Sequence, residues 1–213
     1  MNDSDLVNRA SSQVGYHEKQ SYTPTPALYV FRNSYDGSDN WTKFHNDIGA
    51  TQGYDWCGYF CYWCFFKECG DDHAQTYAFL NNIQNLGGGV IDWYNAFNAV
   101  GKFHPRGSYD PKIGDVVLFS DPQYPYSHCE IVTGLSSAPT YINTVGGNTR
   151  QTSGSGESTG MWVASRIRHA QANNTFWVLG YCEIDYDGSS GGGGFAPEWG
   201  YPVLRRRRNG WLF

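Results

Sequence analysis

YDWCGYFCYWCFFKECG, residues 54–70, is the least polar and most cysteine-rich stretch of the chain. From Trp56 to Phe66 it carries no charge, and Gly58 is its small, uncharged break. A helix that is apolar on all sides belongs inside a core. The run is too short to cross a bilayer, which takes about 20 apolar residues. The pattern predicts a buried helix over Cys57–Cys69, with Asp55 as its N-cap and Gly70 as its stop. Cys57 then sits at the helix N-terminus, where free N–H groups and partial positive charge favour a thiolate over a thiol. The thiolate is the nucleophilic form of cysteine. The bland alternative is that Cys57 is one more small buried residue.

Working outward, the rest of the chain divides by period. Leu6, Val7, Ala10 and Val14 fall at helical spacing, with Ser4 or Asp5 as cap and Gly15 as terminator. Residues 22–53 are polar and broken by Pro24, Pro26, Gly37 and Gly49, so they read as loop, with a short helix in NWTKFHNDIG. A loop this long tends to be functional. Residues 71–86 read as a more polar helix ended by Gly87–Gly89, and Ile91–Val100 as another. The pattern then becomes strand-like at residues 115–119, 128–134, 141–145, 166–168 and 177–184. Helices first and short strands after them predict an α+β fold with an antiparallel sheet. Gly188–Gly194 reads as a linker. The tail 195–213 holds four arginines, Arg205–Arg208, beside aromatics. That gives a catalytic domain over 1–187, a linker over 188–194 and an aromatic, basic tail. The tail is either a solvated end or an attachment segment for an acidic polymer or partner.

Bulk composition narrows the class. The 213 residues are 40% hydrophobic and 17% aromatic, enough for a sizeable core. The net charge of −5 disfavours non-specific nucleic-acid binding. No stretch reads as transmembrane, and the polar start MNDSDLVNRA lacks the apolar run of a signal peptide. Of the six cysteines, four lie within Cys57–Cys69, where one helix cannot meet disulfide geometry. Cys57, Cys61 and Cys64 share a helix face, but among Phe, Tyr and Trp rather than in the knuckles of a zinc site. No metal or cofactor is expected.

A nucleophilic cysteine needs a base, and the base needs an orienting group. Of the histidines at 17, 45, 73, 104, 128 and 169, His128 opens a predicted strand. Alternation puts His128, Glu130 and Val132 on one face and Cys129, Ile131 and Thr133 on the other. If residues 135–140 form the hairpin loop, Gly134 pairs near Tyr141, and His128 falls opposite Gly147, within about two residues. Asn148 lies in that window and could fix the imidazole tautomer. It could equally be a turn residue after two glycines.

DWCGYFCYWCFFKECG resembles the nucleophile helix of the CHAP family, the cysteine- and histidine-dependent amidohydrolases/peptidases. Two Trp-Cys pairs, Trp56-Cys57 and Trp63-Cys64, stand seven residues apart as that family has them. IGDVVLF, SHCEIVTG and VGGNT resemble its Gly-Asp strand, its Ser-His strand and its third motif, usually Glu-Gly-Asn-Thr. SQVGYHEK and NWTKFHNDIG resemble parts of members that attack bacterial cell walls. The resemblance implies a papain-like fold, with N-terminal helices packed on an antiparallel sheet. It also implies peptidoglycan hydrolysis with Cys57 as nucleophile, His128 as base and Asn148 as orienting residue. The usual Glu falls on Gly146 here, so Glu130 on the His128 face becomes an accessory candidate. Gln52 is a candidate second oxyanion donor beside the Cys57 backbone N–H. The calcium-loop pattern of some members is not visible.

The expected function is therefore an amidase or endopeptidase acting on bacterial peptidoglycan. The expected setting is a phage lysin, held in the host cytoplasm until a holin releases it, or a virion-associated enzyme among phage tail proteins. The competing expectation is a non-catalytic structural or wall-binding protein on a degenerate scaffold, supported by Gly146 and the arginine tail.

Overall fold

The computed structural model describes residues 1–18, 40–136, 140–150, 160–171 and 176–186. The expected linker and tail, and residues 22–39 of the long polar segment, lie outside the described residues. Within them the fold is α+β and papain-like: helices on one face of a six-stranded antiparallel sheet.

Five helices are described: α1 (Asp3–Ser11), α2 (Lys43–Asp47), α3 (Cys57–Glu68), α4 (His73–Phe79) and α5 (Val90–Ala99). Asn2 caps α1 in a capping box with Asp5, two residues before the expected Ser4. Thr42 caps α2 by accepting from the His45 backbone N–H. α3 is the buried helix, with nine of its residues inside the core. Its N-cap is Trp56, with no side-chain cap; Asp55 is not the cap, because its carboxylate accepts from Asn148 instead. Gly70 follows the helix at a φ of +77°, a conformation that an L side chain rarely adopts. The predicted helix over 71–86 stops at Phe79, and Asn81, Asn82 and Asn85 then turn the chain at positive φ.

The strands are β1 (Phe103–Pro105), β2 (Val116–Ser120), β3 (His128–Leu135), β4 (Tyr141–Thr149), β5 (Trp162–His169) and β6 (Trp177–Cys182), in the order β1-β6-β2-β3-β4-β5. β2 is buried on both faces, which explains its unbroken VVLF. Val116 and Leu118 join Cys129, Ile131 and Val145 against the helices in the main core. Val117 and Phe119 join Val132, Ile142, Val178 and Tyr181 in a second cluster on the opposite face. Asp115 ties the strand ends together. Its carboxylate accepts from Tyr109 Oη, the Lys112 N–H and the Ile184 N–H, and burial still raises its pKa to about 6.

Two features of β4 place the site. It runs on through Gly146 and Gly147 rather than ending at Val145. A Cβ at Gly147 would stand 2.5 Å from Trp56 Cζ3 and 2.6 Å from Phe60 Cβ, so only a bare backbone lets α3 lie this close. The β3–β4 register pairs Ile131 with Val145 but Gly134 with Asn143, not Tyr141, with a shift between Val132 and Gly134.

Candidate active site

Cys57 is the first residue of α3 and His128 the first of β3. Both are buried, and the two side chains lie close enough to influence each other's protonation. The ring's Nε2 is 3.2 Å from Glu130 Oε1, two residues along the same strand. Nδ1 has no hydrogen-bond partner among the described residues. With Nε2 held by the carboxylate, Nδ1 is the nitrogen open to the sulfur.

Glu130 is fully buried and is the most heavily engaged side chain of the site. Arg168 of β5 grips it with two nitrogens: Nε donates to Oε2 at 2.9 Å, and Nη2 donates to Oε1. Thr144 of β4 donates its hydroxyl to Oε2. The guanidinium carbon of Arg168 lies 5.2 Å and 5.1 Å from the ring centres of Phe119 and Phe176. Burial alone would push the Glu130 carboxyl up; Arg168 and His128 outweigh it and hold the group well below the usual carboxylate range. Burial likewise opposes a charged His128, yet the neighbouring Cys57 and the hydrogen-bonded Glu130 carboxylate raise its pKa to about 9.

The sulfur has a different balance. The neighbouring Cys129 thiol and burial both push the Cys57 thiol up, and His128 only partly counters them. Cys129 in turn lies 3.9 Å from Cys61, sulfur to sulfur, and all six cysteines are free. Above the site, the Gly88 carbonyl oxygen is 4.0 Å from Cys57 Sγ. A Cβ at Gly58 would stand 2.5 Å from the Gly87 carbonyl oxygen, so the glycine-rich segment lies flat on the first turn of α3.

Of the residues singled out from sequence, the fold brings Cys57, His128 and Glu130 together. Asn148 and Gln52 have other partners. Asn148, at a φ of +54°, donates its amide to Asp55 Oδ1 at 3.0 Å, and neither ring nitrogen of His128 is bonded to it. Gln52 spends both ends of its amide on Thr42, accepting from its N–H at 2.8 Å and donating to its carbonyl at 2.7 Å. It braces the segment before α3 and is not free to hold an oxyanion. Sequence reasoning missed Arg168, Thr144 and Cys129. A signal for Arg168 existed in the need of a buried Glu130 for a cation.

Residues 49–148, a span that holds both Cys57 and His128, match the family model described as CHAP domain. No curated protein matches the chain.

Proposed function

Taking as premise that the chain carries a CHAP domain at residues 49–148, we propose that it is a peptidoglycan hydrolase that cleaves an amide bond of the bacterial cell wall by a Cys-His mechanism. The observation that carries this reading is the Cys57–His128 pair, a sulfur at a helix mouth beside an imidazole whose far nitrogen is held by a carboxylate. The domain's amidase and peptidase chemistry and its wall substrate fit that pair.

The proposed steps use these groups. The reacting form is the one in which the His128 ring is neutral, a minority at neutral pH because its pKa is about 9: its Nδ1 takes the proton from the Cys57 thiol as the sulfur attacks the amide carbonyl. The Cys57 backbone N–H at the start of α3 donates to the oxyanion. His128 returns the proton to the leaving amine, the C–N bond breaks and a thioester remains. Water, deprotonated by His128, releases the acid and regenerates the thiol. Ionising a thiol that burial and Cys129 hold protonated is the costly step. The imidazolium formed beside Glu130 offsets that cost.

The finer reading is cleavage either between N-acetylmuramic acid and L-alanine or within the peptide, by a phage lysin or a virion-associated enzyme. The likeness of SQVGYHEK and NWTKFHNDIG to wall-attacking members supports a wall substrate. A zymogram against purified peptidoglycan tests the activity. Clearing is expected for the wild type and is lost in Cys57→Ala and His128→Ala; clearing that persists in both variants overturns the mechanism. Mass spectrometry of the released fragments distinguishes amidase from endopeptidase.

A further inference from the structure

β3 and β4 lie side by side, and carrying the Ile131–Val145 register one residue further brings Glu130 level with Gly146. A Cβ built at Gly146 would stand 2.5 Å from Glu130 Cγ and 3.0 Å from its Oε1. The two positions therefore compete for one volume, and a side chain at one excludes a side chain at the other. Gly146 is the position at which the sequence lacks the acidic residue of the VGGNT-like motif. The missing carboxylate and the extra one thus occupy the same place, reached from neighbouring strands.

We propose that in this chain the carboxylate that orients the base is supplied from β3 by Glu130, that Gly146 is bare to make room for it, and that Arg168 is a positioning residue acting through Glu130. The inference rests on the reading of Cys57 and His128 as the reacting pair.

Four groups then alternate in sign across two strands and a helix: Arg168 positive, Glu130 negative, His128 positive once it has taken the proton, Cys57 negative. A carboxylate with no exposed surface cannot stay ionised without a partner. Arg168 supplies the charge, and its two-pronged grip fixes the plane of the carboxylate, leaving Oε1 directed at Nε2. Phe119 and Phe176 wall the guanidinium, and Thr144 occupies the second oxygen. Without Arg168 the cheapest state of Glu130 is the neutral acid, which no longer stabilises an imidazolium.

Two measurements on the full chain test this. The first is an NMR pH titration of the His128 ring in histidine-labelled protein, which needs no substrate. Glu130→Gln and Arg168→Met should each lower the His128 midpoint by at least about one unit, and Arg168→Lys should recover part of the shift. The second is peptidoglycan clearing by the reciprocal exchange. Glu130→Ala should lose at least about tenfold in rate, and Glu130→Ala combined with Gly146→Glu should regain most of that loss. Gly146→Glu alone should unfold or inactivate the chain by collision.

An unmoved midpoint in Glu130→Gln, or in both Arg168 variants, overturns the proposal even if those variants melt earlier. An exchange that folds but clears no faster than Glu130→Ala overturns the relocation. If the wild type clears no wall but the midpoints move as stated, the hydrolase reading fails while the role of Glu130 and Arg168 stands.

Discussion

Trp56 donates its indole N–H to Glu18 Oε2 at 2.6 Å, with both side chains buried. The bond fastens the residue just before Cys57 to the segment that follows α1. Phe44 of α2 stacks on the same indole at 5.3 Å between ring centres. Glu18 also accepts from the Asn40 backbone N–H. The mouth of α3 is thus held by a polar tether and an aromatic stack, although no side chain caps it.

Glu18→Ala should therefore be costly. It strands a buried indole N–H, a loss of about 1–3 kcal/mol by urea denaturation. Glu18→Gln keeps an acceptor and should lose less. Equal losses for the two variants would mean that charge, not the hydrogen bond, matters at this position.

Gly147→Ala tests the close approach of β4 to α3. Its methyl group meets Trp56 and Phe60 head-on, and overpacking of this kind costs about 1–3 kcal/mol. A drop in Tm is expected together with slower clearing, because the strain falls on the turn that carries Cys57. A variant as stable as the wild type would show that the strand and helix can separate freely.

His128 gives stability a pH signature. Its folded pKa, about 9, lies above the 6.5 of an unperturbed imidazole. The folded state thus holds its proton more tightly than the unfolded chain. The contribution is complete below pH 6.5 and is lost as pH rises from there through 9, an amount on the order of 3 kcal/mol. Urea denaturation of wild type and His128→Gln at pH 6, 7.5 and 9 isolates it. The difference between the two proteins should shrink toward alkaline pH, and a constant difference would contradict the assignment.

Cys129→Ala should make the Cys57 thiol more reactive. The neighbouring Cys129 thiol is the largest influence raising the Cys57 pKa, ahead of burial. Its removal lowers the Cys57 pKa and speeds alkylation by iodoacetamide at neutral pH, followed by peptide mass spectrometry. An unchanged rate would show that burial alone governs the thiol.

Much of this arrangement can be read from the sequence, for a local reason. The apolar run around Cys57, the β-branched VVLF and the alternation that puts His128 beside Glu130 are all properties of adjacent residues. What sequence reading misplaces depends on distant partners. Asp55 has the composition of an N-cap, but Asn148, across the sheet, claims its carboxylate. Gly146 and Gly147 resemble a strand end, yet β4 continues through them because Glu130, Trp56 and Phe60 fill the space above. The shift between Val132 and Gly134 moves the hairpin register without marking the sequence. β1 is three residues long and, among the described residues, pairs with β6, far along the chain, so nothing local announces it. Arg168 reaches Glu130 across 38 residues of sequence, a pairing that strand patterns do not encode.

The glycine segment over the sulfur sets a size threshold. Cys57 is 3% exposed beneath the Gly88 carbonyl, and the Tyr59 ring abuts Gly88 from the side. A small electrophile can slip under such a roof, whereas a bulky aromatic disulfide reagent is turned away. On the proposed reading, a cross-linked polymer would meet the same doorway, and reaching the sulfur would require the main chain at Gly88, which has no side chain to catch, to swing aside.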